Sequence, residues 1–220
     1  LFWMVLIVGI VALIGSCAKK DDDTTATTDN ATTTAVTFTS TTTASGSITV
    51  GSVAMSGTYV SGCNTSGVAA AVSGGYVPSN VVANRDVIVV TGSDNVSDES
   101  HWYTDTSCST LSVYLKNGND NFTVGDQSGD YYKVTYQEKR FKIKADTAVA
   151  EAYYENHFST NNITNEGTAV DLVVGTEYSM GGSGSSYMNL FSVTSTQVQK
   201  GEGSTSSYPT AMDSLEMAKQ

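Results

Sequence analysis

The chain has 220 residues, with 11 Lys and Arg against 22 Asp and Glu, a formal net charge of −11 at pH 7. Phosphate backbones are held by clustered Lys and Arg, so this balance argues against a nucleic-acid partner and against direct docking on anionic lipid. An acidic surface of this kind keeps an exported protein soluble and says little more about partners.

Leu1 to Ile14 is one apolar run, followed by Gly15-Ser16-Cys17 and then by the polar Ala18-Lys19-Lys20. A spanning helix needs about 20 apolar residues, and a signal h-region only about 7–15. Two small residues before a Cys complete the lipobox pattern of a bacterial lipoprotein. The reading is therefore a signal peptide over 1–16 and a Cys17 thiol that carries diacylglycerol. Each buried CH₂ adds about 0.8 kcal/mol of membrane attachment. No basic segment or initiator Met precedes the run, so the sequence is expected to begin inside the signal or at a non-Met start. Ala18, not Asp, follows the Cys, which in the sorting logic of enteric lipoproteins points to the outer membrane. Residues 17–45 are mostly Thr, Ala, Ser and Asp, with too little apolar surface to offset ordering entropy. They read as a disordered tether, leaving 46–220 as a single domain with its own core.

With Cys17 lipidated, Cys63 and Cys108 remain. An even pair in an oxidising compartment is most simply one disulfide. The alternative is two free or metal-binding thiols, and no His lies at ligand spacing from either.

The domain alternates short apolar-polar segments with Asn, Gly, Asp and Ser clusters, the pattern of antiparallel β-structure. Strands are expected at 48–53, 57–61, 86–91 (apolar on both faces) and 101–105. In the next, Leu111, Val113 and Leu115 face one way and Ser112, Tyr114 and Lys116 the other. Asn117-Gly118-Asn119-Asp120 reads as a turn. Phe122–Val124 then leads through a 125–129 loop to Tyr131–Tyr136, and a polar turn over 137–140 leads into Phe141–Lys144, with Phe141 and Ile143 inward and Lys142 and Lys144 outward. Asp146–His157 is Ala-rich and free of Gly and Pro, so one helix is expected there with Asp146 as N-cap. Strands resume at 169–174, 177–180, 187–193 and 197–200, and the tail carries a helical turn around 212–217. Eight to ten short strands with one short inserted helix fit a closed antiparallel barrel or, alternatively, a β-sandwich; closure removes exposed edges.

Gly57-Thr58-Tyr59-Val60-Ser61-Gly62-Cys63, followed by Tyr103-Thr104-Asp105-Thr106-Ser107-Cys108, resembles a group of bacterial lipocalin-like lipoproteins. In that group a G-[TS]-[WY]-x-x-x-C strand start pairs with a later Y-x-D-x-x-C. The ending, from Leu190 through Tyr208-Pro209 to Gln220, is similar as well. The resemblance implies a lipocalin-like barrel and the Cys63–Cys108 bond. It implies little chemistry. Position 59 is Tyr, where the group more often has a Trp that plugs the barrel floor.

Catalytic signals are weak. His101 reads as a surface or half-buried residue, neither His101 nor His157 is expected to be catalytic, and there is no G-x-S-x-G elbow. The oxygen-rich stretches 117–121 and 126–130 do not match the EF-hand spacing, so no metal is expected. Gly182–Ser185 reads as a flexible loop, and no cofactor is implied. Aromatics are the best remaining lead, with Trp102, Tyr103, Tyr114, Tyr132 and Tyr136 as candidate ligand contacts of a lumen. The expected function is a lipid-anchored, non-enzymatic envelope module that binds a small apolar or amphipathic ligand in its barrel. The alternative is a structural or interaction lipoprotein with a filled core and no small ligand.

Overall fold

The structure, a computed structural model, describes residues 38–165 and 167–220. The signal over 1–16, Cys17 and the tether up to residue 37 lie outside the described residues.

The domain opens with a small ribbon, β1 (Ile48–Val50) against β2 (Val53–Met55). Then come β3 (Thr58–Ser61), helix α1 (Val68–Ser73), β4 (Ala83–Val90), β5 (Val96–Tyr103), β6 (Leu111–Ser128) and β7 (Tyr131–Ala145). Helix α2 (Ala148–Thr160), the β8 (Thr164–Asn165) and β9 (Thr168–Ala169) ribbon and β10 (Glu177–Gly181) interrupt the meander. It ends with β11 (Ser186–Val193), β12 (Gln197–Gly201) and β13 (Met212–Lys219). Strands β3 to β7 pair in chain order, β11 to β13 follow from β7, and β13 returns to β3. Eight antiparallel strands thus close a lipocalin-like barrel, with β10 attached outside the ring on the C-terminal half of β7.

The period-2 rule sets the two faces. Along β5, Val96, Asp98, Ser100 and Trp102 point inward, while Ser97, Glu99, His101 and Tyr103 point outward. Trp102 joins Val113, Leu115, Phe141 and Ile143 in one apolar cluster, capped by α1 and α2 through Val68, Ala71, Ala150, Tyr154 and Phe158. Val96 joins a second cluster with Tyr59, Ile88, Phe122, Val134 and Met217, capped by Ile48, Val50 and Met55 of the β1–β2 ribbon. Tyr59 is fully buried within this second cluster. Asp98 and Ser100 lie between the clusters, so the lumen has a polar layer between two apolar plugs.

Several expectations are corrected. Asn117–Asp120 and Gln137–Arg140 are not turns but the interiors of two long strands, of 18 and 15 residues. Their register shifts at Gly118/Asn119, at Asp120/Thr123 and at Val124/Gln127. Asn121 takes a left-handed φ of 57°. The turn-forming residues make bulges that bend β6 around the barrel. The segment 125–129 is likewise mostly strand, and the chain reverses at Gly129-Asp130. Thr147, not Asp146, caps α2, its hydroxyl accepting from the Ala150 N–H. Asp146 instead pairs with Lys144 at 2.7 Å. The tail at 212–217 is the closing strand β13, not a helical turn, because Met217 faces the core opposite Ser61. Residues 170–174 are outside any strand, and the six-residue α1 was not expected. Cys63 and Cys108 are bonded, with Cα atoms 5.8 Å apart.

Candidate functional site

The candidate aromatics are not gathered in one lumen. Trp102 is buried in the helix-capped plug. Tyr103 is one residue on and therefore on the outer face, packed with Ala83 and Cys108. Tyr114 is also outside, its ring covered by the Lys116 ammonium at 4.4 Å. Tyr132 borders the ribbon-capped plug. Only Tyr136 reaches the polar layer, stacked between Phe122 at 6.0 Å and Tyr187 at 5.7 Å. Trp102 and Tyr132 thus pack into the apolar plugs, Tyr103 and Tyr114 belong to the outer face, and Tyr136 alone of the five meets the cavity between the plugs.

Between the plugs lies a cavity of about 70 Å³ bordered by Asp98, Asn117, Tyr136, Asn189, Lys200 and Asp213. Lys200 donates to Asp98 Oδ2 at 2.5 Å. Burial opposes the Lys200 charge, but Asp98 and Asp86 outweigh it and push its pKa up. Asp86 accepts from Ser100 at 3.2 Å. Burial, with Asp98 and Asp213 nearby, pushes Asp86 up to about 6, and burial raises Asp213 as well. One cation thus serves several carboxylates. On the rim, Glu138 accepts from the Ser183 N–H, pinning the Gly182–Ser185 loop, and burial raises its pKa.

The outer face is built differently. The pairing aligns Arg85, His101, Tyr114, Lys144 and Glu177 in one row across five strands. Beside it runs Glu99, Lys116 and Lys142. Residues 38–43, expected within the tether, lie across this face as a strap. Phe38 packs on Val60, Val87 and Val89 and meets His101 edge-on at 5.0 Å. Ser40 and Thr42 donate to Glu99, the latter at 2.5 Å. Lys116 donates to the Thr41 hydroxyl. Glu99 is 0% exposed although it points away from the lumen. Burial would raise its pKa, but His101, Lys116 and Thr42 outweigh that and hold it low.

Next to the strap is an open groove of about 780 Å³. Its floor carries Lys116, Lys142, Lys144 and Arg140; Thr41–Thr43 form one wall and Gly175 and Glu177 the other. Glu177 accepts from Lys142 at 2.7 Å and lies 3.6 Å from Lys116. It also accepts from Tyr114 at 2.6 Å, and these donors hold its pKa low against the effect of burial.

His101 is buried, not surface, and its Nε2 lies 2.9 Å from Glu99 Oε2. The hydroxyls of Ser40 and Ser97 donate to that carboxylate and not to the imidazole. His157 stacks on Tyr153 at 6.2 Å, with Asn161 alongside, and burial lowers its pKa. Neither ring has a serine partner among the described residues. No group of three or more His, Cys, Asp or Glu at metal-binding geometry occurs among the described residues.

Sequence reasoning missed the basic groove and the charge layer. Lys142 and Lys144 read from sequence as the outward face of a strand, and Arg140 as part of a turn, so the row of three is not visible there. Lys200 carried no local signal. No family model matches the chain, and no curated protein matches it.

Proposed function

We propose that this chain is a non-enzymatic recognition module of the bacterial cell envelope, held to the membrane through acylated Cys17. Its barrel is a scaffold, and its working surface is the outer face of β5 to β7. The observation that carries this reading is the contrast in free space. The cavity between the plugs holds about 70 Å³, and the groove on the outer face about 780 Å³. Pockets for drug-sized ligands run to about 300–1,000 Å³. An apolar or amphipathic ligand in the lumen would have to displace Tyr136 or break the Lys200–Asp98 pair. The scaffold with a filled core, the alternative reading of the sequence, is therefore the better supported one. The imidazoles face a carboxylate and aromatic rings, which supports a structural role for both.

Native mass spectrometry of the protein isolated from host membranes tests the reading. The expected mass is the chain from Cys17 onward plus acyl groups, with no further stoichiometric lipid. A co-purifying apolar molecule that survives gentle desolvation would overturn the filled-core reading. An unmodified Cys17 would overturn the anchor.

A further inference from the structure

We infer that the groove beside the strap binds an acidic oligosaccharide. The inference rests on the outer face being the working surface and names what that surface takes.

Charge is the first argument. The sequence after the expected tether contains nine Lys and Arg, and four of them line this groove; Glu177 is the one carboxylate among the lining residues, with Asp120 and Asp146 pairing Arg140 and Lys144 from outside it. Such a concentration on a chain of net charge −11 favours an anionic ligand. Arg140, Lys142 and Lys144 alternate on one face of β7, so their Cα atoms are spaced by roughly 6.7 Å, twice the strand rise. Lys142 is 42% exposed and Arg140 51%, so their ion pairs are solvated and can be exchanged for a ligand anion.

The remaining lining separates ligand classes. Thr41, Thr42, Thr43, Thr91, Asn95 and Ser97 line it with hydroxyls and an amide; Thr42 and Ser97 already donate to Glu99 and Asn95 to Asp120. The strap shows what the same rows accept: hydroxyls of Ser40 and Thr42 meet Glu99, and that of Thr41 meets Lys116. A ligand with both hydroxyls and carboxylates continues this pattern along Lys142 and Lys144. An acidic peptide fits less well. Peptides added to a sheet use a free edge, whereas this floor is a sheet face whose backbone is taken by the β6–β7 ladder. A nucleic-acid strand would need open aromatic faces for its bases. Tyr114 is 5% exposed and already covered by Lys116.

Isothermal titration of the lipid-anchored protein in detergent, with tetragalacturonate as probe, tests this. At about 0.15 M salt, tetragalacturonate should bind at least about tenfold more tightly than neutral maltotetraose, and more weakly as salt rises. Lys142→Gln and Lys144→Gln should each weaken binding about fivefold or more. Lys133→Gln should leave it unchanged, because Lys133 lies over Tyr208 outside the groove. No binding of tetragalacturonate below about 1 mM overturns the inference. So does an equal loss in Lys133→Gln, which would reveal only bulk attraction. Tetraglutamate binding as tightly as the saccharide would assign the groove to acidic peptides instead. None of these results bears on lumen filling or the Cys17 anchor, which the mass measurement reads separately.

Discussion

Asp98 and Glu99 are neighbours on β5 and point to opposite sides of the barrel wall. Asp98 faces the lumen and keeps 23% of its side chain accessible, bordering the small cavity with Lys200. Glu99 faces outward and keeps none, because the strap closes over it. Inside and outside do not map onto buried and exposed here. The two regions also differ in their balance of donors. Around Lys200 carboxylates are in surplus, and Asp86 is pushed up. Around Glu99 donors are in surplus: Ser40, Thr42, Ser97 and His101 all bond one carboxylate, and with the charge of Lys116 nearby they hold it low. Burial pushes both carboxyls up; around Glu99 the donors and the nearby Lys116 charge outweigh it, and around Asp86 the Lys200 charge does not.

The largest expected effect tests the donor-rich side. Glu99→Ala leaves the buried His101 without its carboxylate, removes the negative charge nearest Lys116 and frees the strap. Breaking a buried charge cluster costs about 3–5 kcal/mol. Urea unfolding should show that loss, and hydrogen exchange at 40–43 should rise steeply. A loss under about 1 kcal/mol would mean the strap is held by Phe38 alone.

On the carboxylate-rich side, Lys200→Met should cost about 3 kcal/mol at pH 7, somewhat less because the site is partly solvated. The loss should shrink toward pH 4 as Asp86 and Asp213 protonate, with Tm measured across pH as the check. A pH-independent loss would show that the Lys200 alkyl chain, not its charge, supports the layer.

Asp86→Asn separates the two regions by sign. Asp86 has its folded pKa raised from 3.8 to about 6, so the stability it contributes is present below pH 3.8 and is lost as pH rises through about 6. Removing its charge should therefore stabilise the protein at pH 7, by about 1–2 kcal/mol after solvent screening, and do nothing near pH 3.5. Glu99 is depressed, so its contribution is present above its unfolded pKa and lost as pH falls through the folded one. Glu99→Gln should accordingly cost more at pH 7 than in acid. Equal slopes for the two variants would break the comparison.

The smallest effect belongs to the groove. Lys142→Gln removes a partly exposed ion pair with Glu177 and should change stability by no more than about 0.5 kcal/mol. A larger loss would make the basic row a structural element of the sheet and not a free surface.

Local pattern by itself determined the β class, the outward set of Lys142 and Lys144, and the helix after Lys144. These follow from periods of 2 and 3.6 and from the absence of breakers, which act over a few residues. The bond between Cys63 and Cys108 followed from counting an even pair. Local pattern misread 117–120 and 137–140, because Asn, Gly and Asp serve bulges as well as turns, and only the pairing of β6 with β7 decides between them. It also misread 212–217, where the vacancy between β12 and β3 recruits the tail as a strand. Separating Trp102 from Tyr103, setting Asp98 against Lys200 across 102 residues, and laying 38–43 over Glu99 were decided by tertiary structure alone. Barrel closure brings together strands far apart in sequence, and no short window of residues contains that information.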